Sequence, residues 1–114
     1  MLSAVLSLCL ALPQGGAETP PTGLTIVMVD VDQGSSTVIQ APDGTVHLID
    51  GGLTGMGLSA VDPVVRSLSP TGYGYTIATH YHTDHIGGLD ELLNAYPFQV
   101  AFDRGDESPW SSSA

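Results

Sequence analysis

Apolar and polar positions along the chain fall into short blocks, and the period of each block predicts an element. Residues 24–31 (LTIVMVDV) are β-branched and apolar, which predicts a central strand. Residues 32–35 (DQGS) form a turn, and residues 36–40 (STVIQ) a second strand. Pro42-Asp43-Gly44 is a strong turn signal, because proline presets φ and glycine accepts positive φ. Residues 45–49 (TVHLI) make a third strand, and connections this short imply an antiparallel meander. Asp50-Gly51-Gly52 ends that strand, and the stretch to Gly57 reads as a flexible, glycine-rich loop. Asp62-Pro63 reads as an N-cap followed by proline at the first helical position, with Val64, Val65 and Leu68 on the apolar face and Pro70 as terminator. Residues 75–79 (YTIAT) predict a fourth strand. Gly87-Gly88 opens a second helix with Leu89, Leu92 and Leu93 on one face, which Pro97 ends. Residues 98–102 are a fifth strand, and the tail 106–114 is polar without a period. The expected order is β-β-β-α-β-α-β, an α+β chain whose sheet is covered by helices on one side.

The N-terminus changes the domain picture. Residues 2–12 (LSAVLSLCLAL) form an apolar run that is shorter than the roughly 17–25 residues of a membrane-spanning helix. Small residues, Gly15-Gly16-Ala17, follow it. Residues 1–17 are therefore expected to be a cleavable export signal, residues 18–23 (ETPPTG) a linker and residues 24–114 the domain. The run lacks a preceding positive side chain, and a buried helix ended by Pro13 is the competing reading. Cleavage would remove Cys9, the single cysteine, leaving a periplasmic or extracellular protein with no disulfide and no thiol nucleophile. Leu6-Ser7-Leu8-Cys9 loosely resembles a lipidation box, with bulky Leu8 where a small residue is expected. No stable membrane span is expected.

Composition narrows the partners. The chain has 114 residues, enough for one small domain, with 42% hydrophobic and 12% charged residues. Its net charge is −10, with Arg66 and Arg104 the only basic side chains apart from histidine. Nucleic acid is disfavoured as a partner, since phosphate contacts come mainly from lysine and arginine. Nothing in the sequence requires an oligomer.

The chemistry concentrates in His80-Tyr81-His82-Thr83-Asp84-His85, which holds three of the four histidines. Imidazole and carboxylate are ligands for zinc and related divalent ions. In extended backbone, residues two apart point the same way, so His80 and His82 are expected to grip one ion. Asp84 and His85 follow in the turn and face elsewhere, toward a second ion, or Asp84 orients a metal-bound water. Gly87-Gly88 leaves room for close backbone approach and begins a helix whose dipole favours an anion. His47 alternates with Val46 and Leu48 and reads as a structural strand residue. Tyr81 and Thr83 are spacers within the motif.

This stretch resembles the metallo-β-lactamase superfamily, whose hallmark is H-x-H-x-D-H, and Ile86-Gly87-Gly88-Leu89 extends the likeness. The resemblance implies the first half of an αββα sandwich and a hydrolytic site of one or two metals, usually zinc. It implies His80 and His82 at the first metal and Asp84 and His85 at the second. Asp50-Gly51-Gly52 is similar to the family's aspartate-glycine turn, whose aspartate supports the site from behind the ligands. Residues 29–36 (VDVDQGSS) resemble the D-V-G-Q-G-D-S opening of the lactamase-like domain in ComEC/Rec2 competence proteins, and Pro42-Asp43-Gly44 and Leu48-Ile49-Asp50-Gly51-Gly52 continue it. Asp32 replaces a glycine there, forcing a side chain into a tight turn. Ser35 replaces an acid. Asp30 and Asp32 equally fit plain turn chemistry.

The likeness covers about residues 24–102, the first half of the family's fold. The family's later metal ligands include histidines, and this sequence has none after His85. The expectation is a secreted, metal-dependent hydrolase in which activated water, oriented or deprotonated by Asp84, attacks a phosphodiester or ester. β-Lactam, thioester and lactone substrates remain open, and the alternative is a truncated, catalytically incomplete piece of such a domain.

Overall fold

Period-two alternation builds the sheet. The computed structural model describes residues 23–105. The expected signal at 1–17, the lipidation box at Cys9, nearly all of the linker and the tail with Trp110 lie outside the described residues. Five strands line up in sequence order: β1 (Thr25–Met28), β2 (Thr37–Gln40), β3 (Thr45–Ile49), β4 (Gly72–Ile77) and β5 (Val100–Phe102). The first three form the expected antiparallel meander, with Val38 opposite Val27 and Leu48. β4 and β5 then add in parallel, each after a helical crossover.

Along β2 and β3 alternate residues are fully buried: Val38 and Gln40, then Val46 and Leu48. With Val31, Val61, Val65, Leu89 and Leu92 the apolar members form the core beneath the helices. Fully burying each such side chain stabilises the fold by roughly 1.5–3 kcal/mol. Gln40 is tolerated there because its amide donates to the Gly44 and Leu68 carbonyls, at 3.2 and 2.9 Å. The register slips between Val46 and Leu48, and His47 fills the gap. Its Nδ1 accepts the Tyr75 N–H at 3.0 Å and its ring stacks on Tyr75, so it is a strand residue of the sheet, as its alternation predicts.

Three local expectations are corrected. Asp62 is not the cap of the first helix. A wide π-helical turn at Gly57–Val61 runs directly into α1 (Asp62–Ser67), so Asp62 is buried inside a continuous helix. There its carboxylate accepts hydrogen bonds from the Arg66 guanidinium and the Tyr96 hydroxyl. Likewise the stretch after Gly51 is held rather than free, because the Glu91 carboxylate accepts the Gly55 N–H at 2.5 Å and the Leu58 N–H at 3.1 Å.

The third correction bears on the site. Gly87-Gly88 does not open the second helix. α2 (Thr83–Ala95) begins four residues earlier, with His82 in extended conformation as its N-cap. The glycine pair sits one turn in, where a Cβ on Gly88 would collide with the Gly51 carbonyl and one on Gly87 with the Thr54 backbone nitrogen. Close backbone contact with the loop after β3 overrides glycine's poor helix propensity. Among the described residues no helix is long and apolar enough to cross a membrane.

Candidate metal centre

Three loops at one end of the sheet converge on the first turns of α2. From the β1–β2 turn, the Ser35 N–H donates to the Asp84 carbonyl at 3.3 Å. From the loop after β3, the Gly51 N–H donates to the His85 carbonyl at 2.7 Å. In return the Gly88 N–H donates to the Gly52 carbonyl at 2.9 Å, and Gly52 donates to Ser35 at 3.0 Å. Glycine is required at position 34, where φ is +91° and a Cβ would strike the Asp84 backbone. Asp32 carries φ +66°, so a side chain does occupy the left-handed turn position, and its N–H donates to Asp30 Oδ1 at 3.1 Å.

Asp50 is the centre of this convergence. It follows β3 directly, takes φ +58° and is 1% exposed. Its Oδ2 accepts from the Thr79 hydroxyl at 2.6 Å, the Ser35 hydroxyl at 3.1 Å and His85 Nδ1 at 2.8 Å, and its Oδ1 accepts the Thr79 N–H at 2.9 Å. Burial pushes the carboxyl toward a higher pKa, but the hydrogen bonds from Thr79, His85 and Ser35 outweigh it and hold the group below its ordinary value. Asp50 is thus a buried carboxylate whose partners are hydroxyls, an amide and an imidazole.

The motif residues distribute around it. Asp50, His80 and His85 each offer one ligand atom, and these atoms lie within 4.8 Å of one another. The His80 ring centroid is 3.9 Å from that of His85 and 4.7 Å from that of His82. His82 is exposed, whereas His80 and His85 are half-buried. Asp84 lies in the first helical turn, with Oδ2 3.9 Å from His85 Nε2. The three imidazoles therefore share one neighbourhood, and His80 lies nearer to His85 than to its i+2 neighbour. Two nitrogens and a carboxylate oxygen are donors of the type zinc takes.

Two residues of this network were not among the expected site positions. Thr79 immediately precedes His80, and Ser35 was notable only for standing where the resembling family has an acid. Neither hydroxyl carries a sequence signal for its partner, since Asp50 is 29 and 15 positions away.

With Ile86, Leu89, Leu93, Ala101 and Asp103, Tyr81 lines a groove of about 250 Å³ between α2 and the β4–β5 edge. The Arg104 guanidinium lies 5.8 Å over its ring. Burial and the neighbouring Asp103 raise the Tyr81 phenol pKa. The groove and the histidine cluster are separate features that share the same connecting segment.

The family described as the metallo-beta-lactamase superfamily matches residues 29–112. Hydroxyacylglutathione hydrolases of Xylella fastidiosa, strains M12 and 9a5c, are each 39% identical over 57 residues. That stretch is 50% of this chain and 20% of the relative, so the chain matches about a fifth of the length of these curated proteins.

Proposed function

Because the chain belongs to the metallo-β-lactamase superfamily, we propose that it serves a metal-dependent hydrolase, with His80, His82, Asp84 and His85 as the metal ligands. The observation that carries this reading is the clustering of three imidazoles on one strand-to-helix connection, the His80 ring 3.9 Å from His85 and 4.7 Å from His82, with Asp50 hydrogen-bonded behind His85. When bound, a divalent ion such as zinc supplies Lewis-acid activation of water near neutral pH. The chain's own residues do the rest. His80, His82 and His85 present ring nitrogens. The Asp84 carboxylate, at the start of α2, orients the attacking water and receives its proton at Oδ2. Three of Asp50's four donors crowd Oδ2, His85 Nδ1 among them, and the fourth is on Oδ1. It therefore acts as an orienting carboxylate behind His85 rather than as a ligand.

The substrate reading is an acyl ester of the thioester type. The matched relatives are named for hydroxyacylglutathione, an acyl thioester, and the −10 charge repels a polyanion. A second reading, phosphodiester cleavage, is supported by the ComEC-like opening at residues 29–36. We further propose that residues 1–17 direct export. A mature protein beginning at Glu18 supports that, and retention of Met1 in the exported fraction overturns it.

The test uses the full chain, stripped with chelator and titrated with Zn²⁺ by calorimetry. It is then assayed on S-acyl glutathiones and on bis(4-nitrophenyl) phosphate. Zinc binding that is lost in His80→Ala and His85→Ala, with thioester turnover, supports the first reading. Turnover of the phosphodiester alone moves the assignment to the second. Absence of zinc binding at micromolar concentration removes both.

A further inference from the structure

We propose that Thr79 is a positioning residue for two imidazoles: its hydroxyl links His80 to Asp50, and through Asp50 to His85, so that both rings carry their proton on Nδ1 and leave Nε2 free as a ligand nitrogen. Proton count fixes the direction of each hydrogen bond. Thr79 Oγ1 lies 2.6 Å from Asp50 Oδ2 and 3.0 Å from His80 Nδ1. The hydroxyl has one proton and can donate to only one of them. Four donor groups converge on buried Asp50, which is the setting of a carboxylate and not of a carboxylic acid. A carboxylate has no proton to give, so the short contact is Thr79 donating to Asp50. The remaining lone pair on Oγ1 then accepts from His80 Nδ1–H.

The same carboxylate sets the other ring. His85 Nδ1 is 2.8 Å from Asp50 Oδ2 and 3.1 Å from Ser35 Oγ, whose proton is directed at Asp50. His85 therefore also carries its proton on Nδ1. In a neutral imidazole the other nitrogen is then a bare lone pair. Two histidines five positions apart are placed in the same tautomer by one chain of hydrogen bonds, His80 to Thr79 to Asp50, with His85 joining at the carboxylate. The Thr79 N–H, bonded to Asp50 Oδ1 at 2.9 Å, fixes the threonine backbone in the arrangement. Thr79 is itself exposed, so removing its hydroxyl leaves no cavity in the core.

His47 provides an internal contrast. Its Nδ1 accepts the Tyr75 N–H, so its proton sits on Nε2. One molecule therefore holds both tautomers, each dictated by its neighbour.

The consequence for metal affinity rests on the proposed metal reading, but the tautomers do not. The experiment records long-range ¹H–¹⁵N correlation spectra of the metal-free, full-length chain at a pH above the imidazole range. Three proteins are compared: wild type, Thr79→Val and Thr79→Ser. Wild type is expected to show the Nδ1–H pattern for His80 and His85 and the Nε2–H pattern for His47. In Thr79→Val, His80 is expected to become a tautomer mixture while His47 is unchanged. Zn²⁺ affinity should fall about 10- to 100-fold, the usual effect of losing a partner behind a ligand. Thr79→Ser should restore both readouts. A His80 that keeps the Nδ1–H pattern in Thr79→Val overturns the inference, as does failure of serine to rescue. Tautomers as expected without zinc binding in wild type would support the relay and overturn the metal reading instead.

Discussion

Asp50 takes φ +58°, an uncommon place for a residue with a side chain, although Asp and Asn are the residues that reach it most readily. That conformation turns its carboxylate back under Thr79 and His85. Its folded pKa lies below its ordinary value of 3.8, so the group contributes stability above that pH and loses it as pH falls through the lower folded value. Asp62 has the same sign: the Arg66 hydrogen bond lowers its pKa, burial opposes this, and the Tyr96 hydroxyl lowers it further. The urea midpoint of the wild-type chain is therefore expected to drop steeply below about pH 4. Asp50→Asn should remove part of that slope and leave the Asp62 part, while lowering Zn²⁺ affinity about 10- to 100-fold. A pH profile identical to wild type in Asp50→Asn would contradict the assignment of Asp50 as a hydrogen-bonded carboxylate. At this scale the sequence was informative about ligand types and uninformative about hydroxyls. A histidine cluster announces metal chemistry by composition, whereas Thr79 and Ser35 matter only through partners distant in the chain.

At the scale of elements, the site depends on where α2 starts. Glycines normally interrupt helices, which is why Gly87-Gly88 read as an opening. The structure instead uses them as the face on which the loop after β3 rests. Starting the helix at Thr83 places Asp84 and His85 on its first turn, where the dipole favours the Asp84 carboxylate. Gly88→Ala is expected to cost roughly 1–3 kcal/mol through overpacking against Gly51. Thermal unfolding should register this as a drop of several degrees, and an unchanged transition would show that the backbone contact is looser than described. Glu91 fastens the other end of the same loop through the Gly55 and Leu58 amides. Hydrogen bonds to a charged group contribute about 1.5–3 kcal/mol. In Glu91→Ala these two amides should exchange about tenfold faster or more, with β2 and β3 amides unaffected. The strands themselves were legible, because alternation along β2 and β3 is enforced by one buried face. Their ends were less so: β1 stops at Met28 and β4 begins at Gly72.

Across the molecule the two faces of the sheet differ. One lies under α1, α2 and the core. The other, among the described residues, exposes Leu24, Ile26, Met28, Tyr75, Ile77, Val100 and Phe102, with Met28 84% accessible. Exposed apolar residues of this kind, on β1 at one edge and on β4 and β5 at the other, bind hydrophobic dyes and promote association. The chain is expected to enhance anilinonaphthalene sulfonate fluorescence strongly. Met28→Lys combined with Phe102→Lys should reduce that signal and raise solubility without altering Zn²⁺ affinity. An unchanged dye signal would mean that this face is covered in solution.

Local pattern determined most of what is local: the strand periods, the antiparallel meander, His47 as a sheet residue, and a set of imidazoles and carboxylates suited to a divalent ion. These follow from side-chain direction and turn chemistry, which act over a few residues. Tertiary structure alone decided that Ser35, Asp50, Thr79 and His85 meet, and that His80 sits nearer to His85 than to His82. Those outcomes depend on how closely three loops pack against one helix, and backbone distances between segments up to 50 residues apart are not written in the period of any one of them.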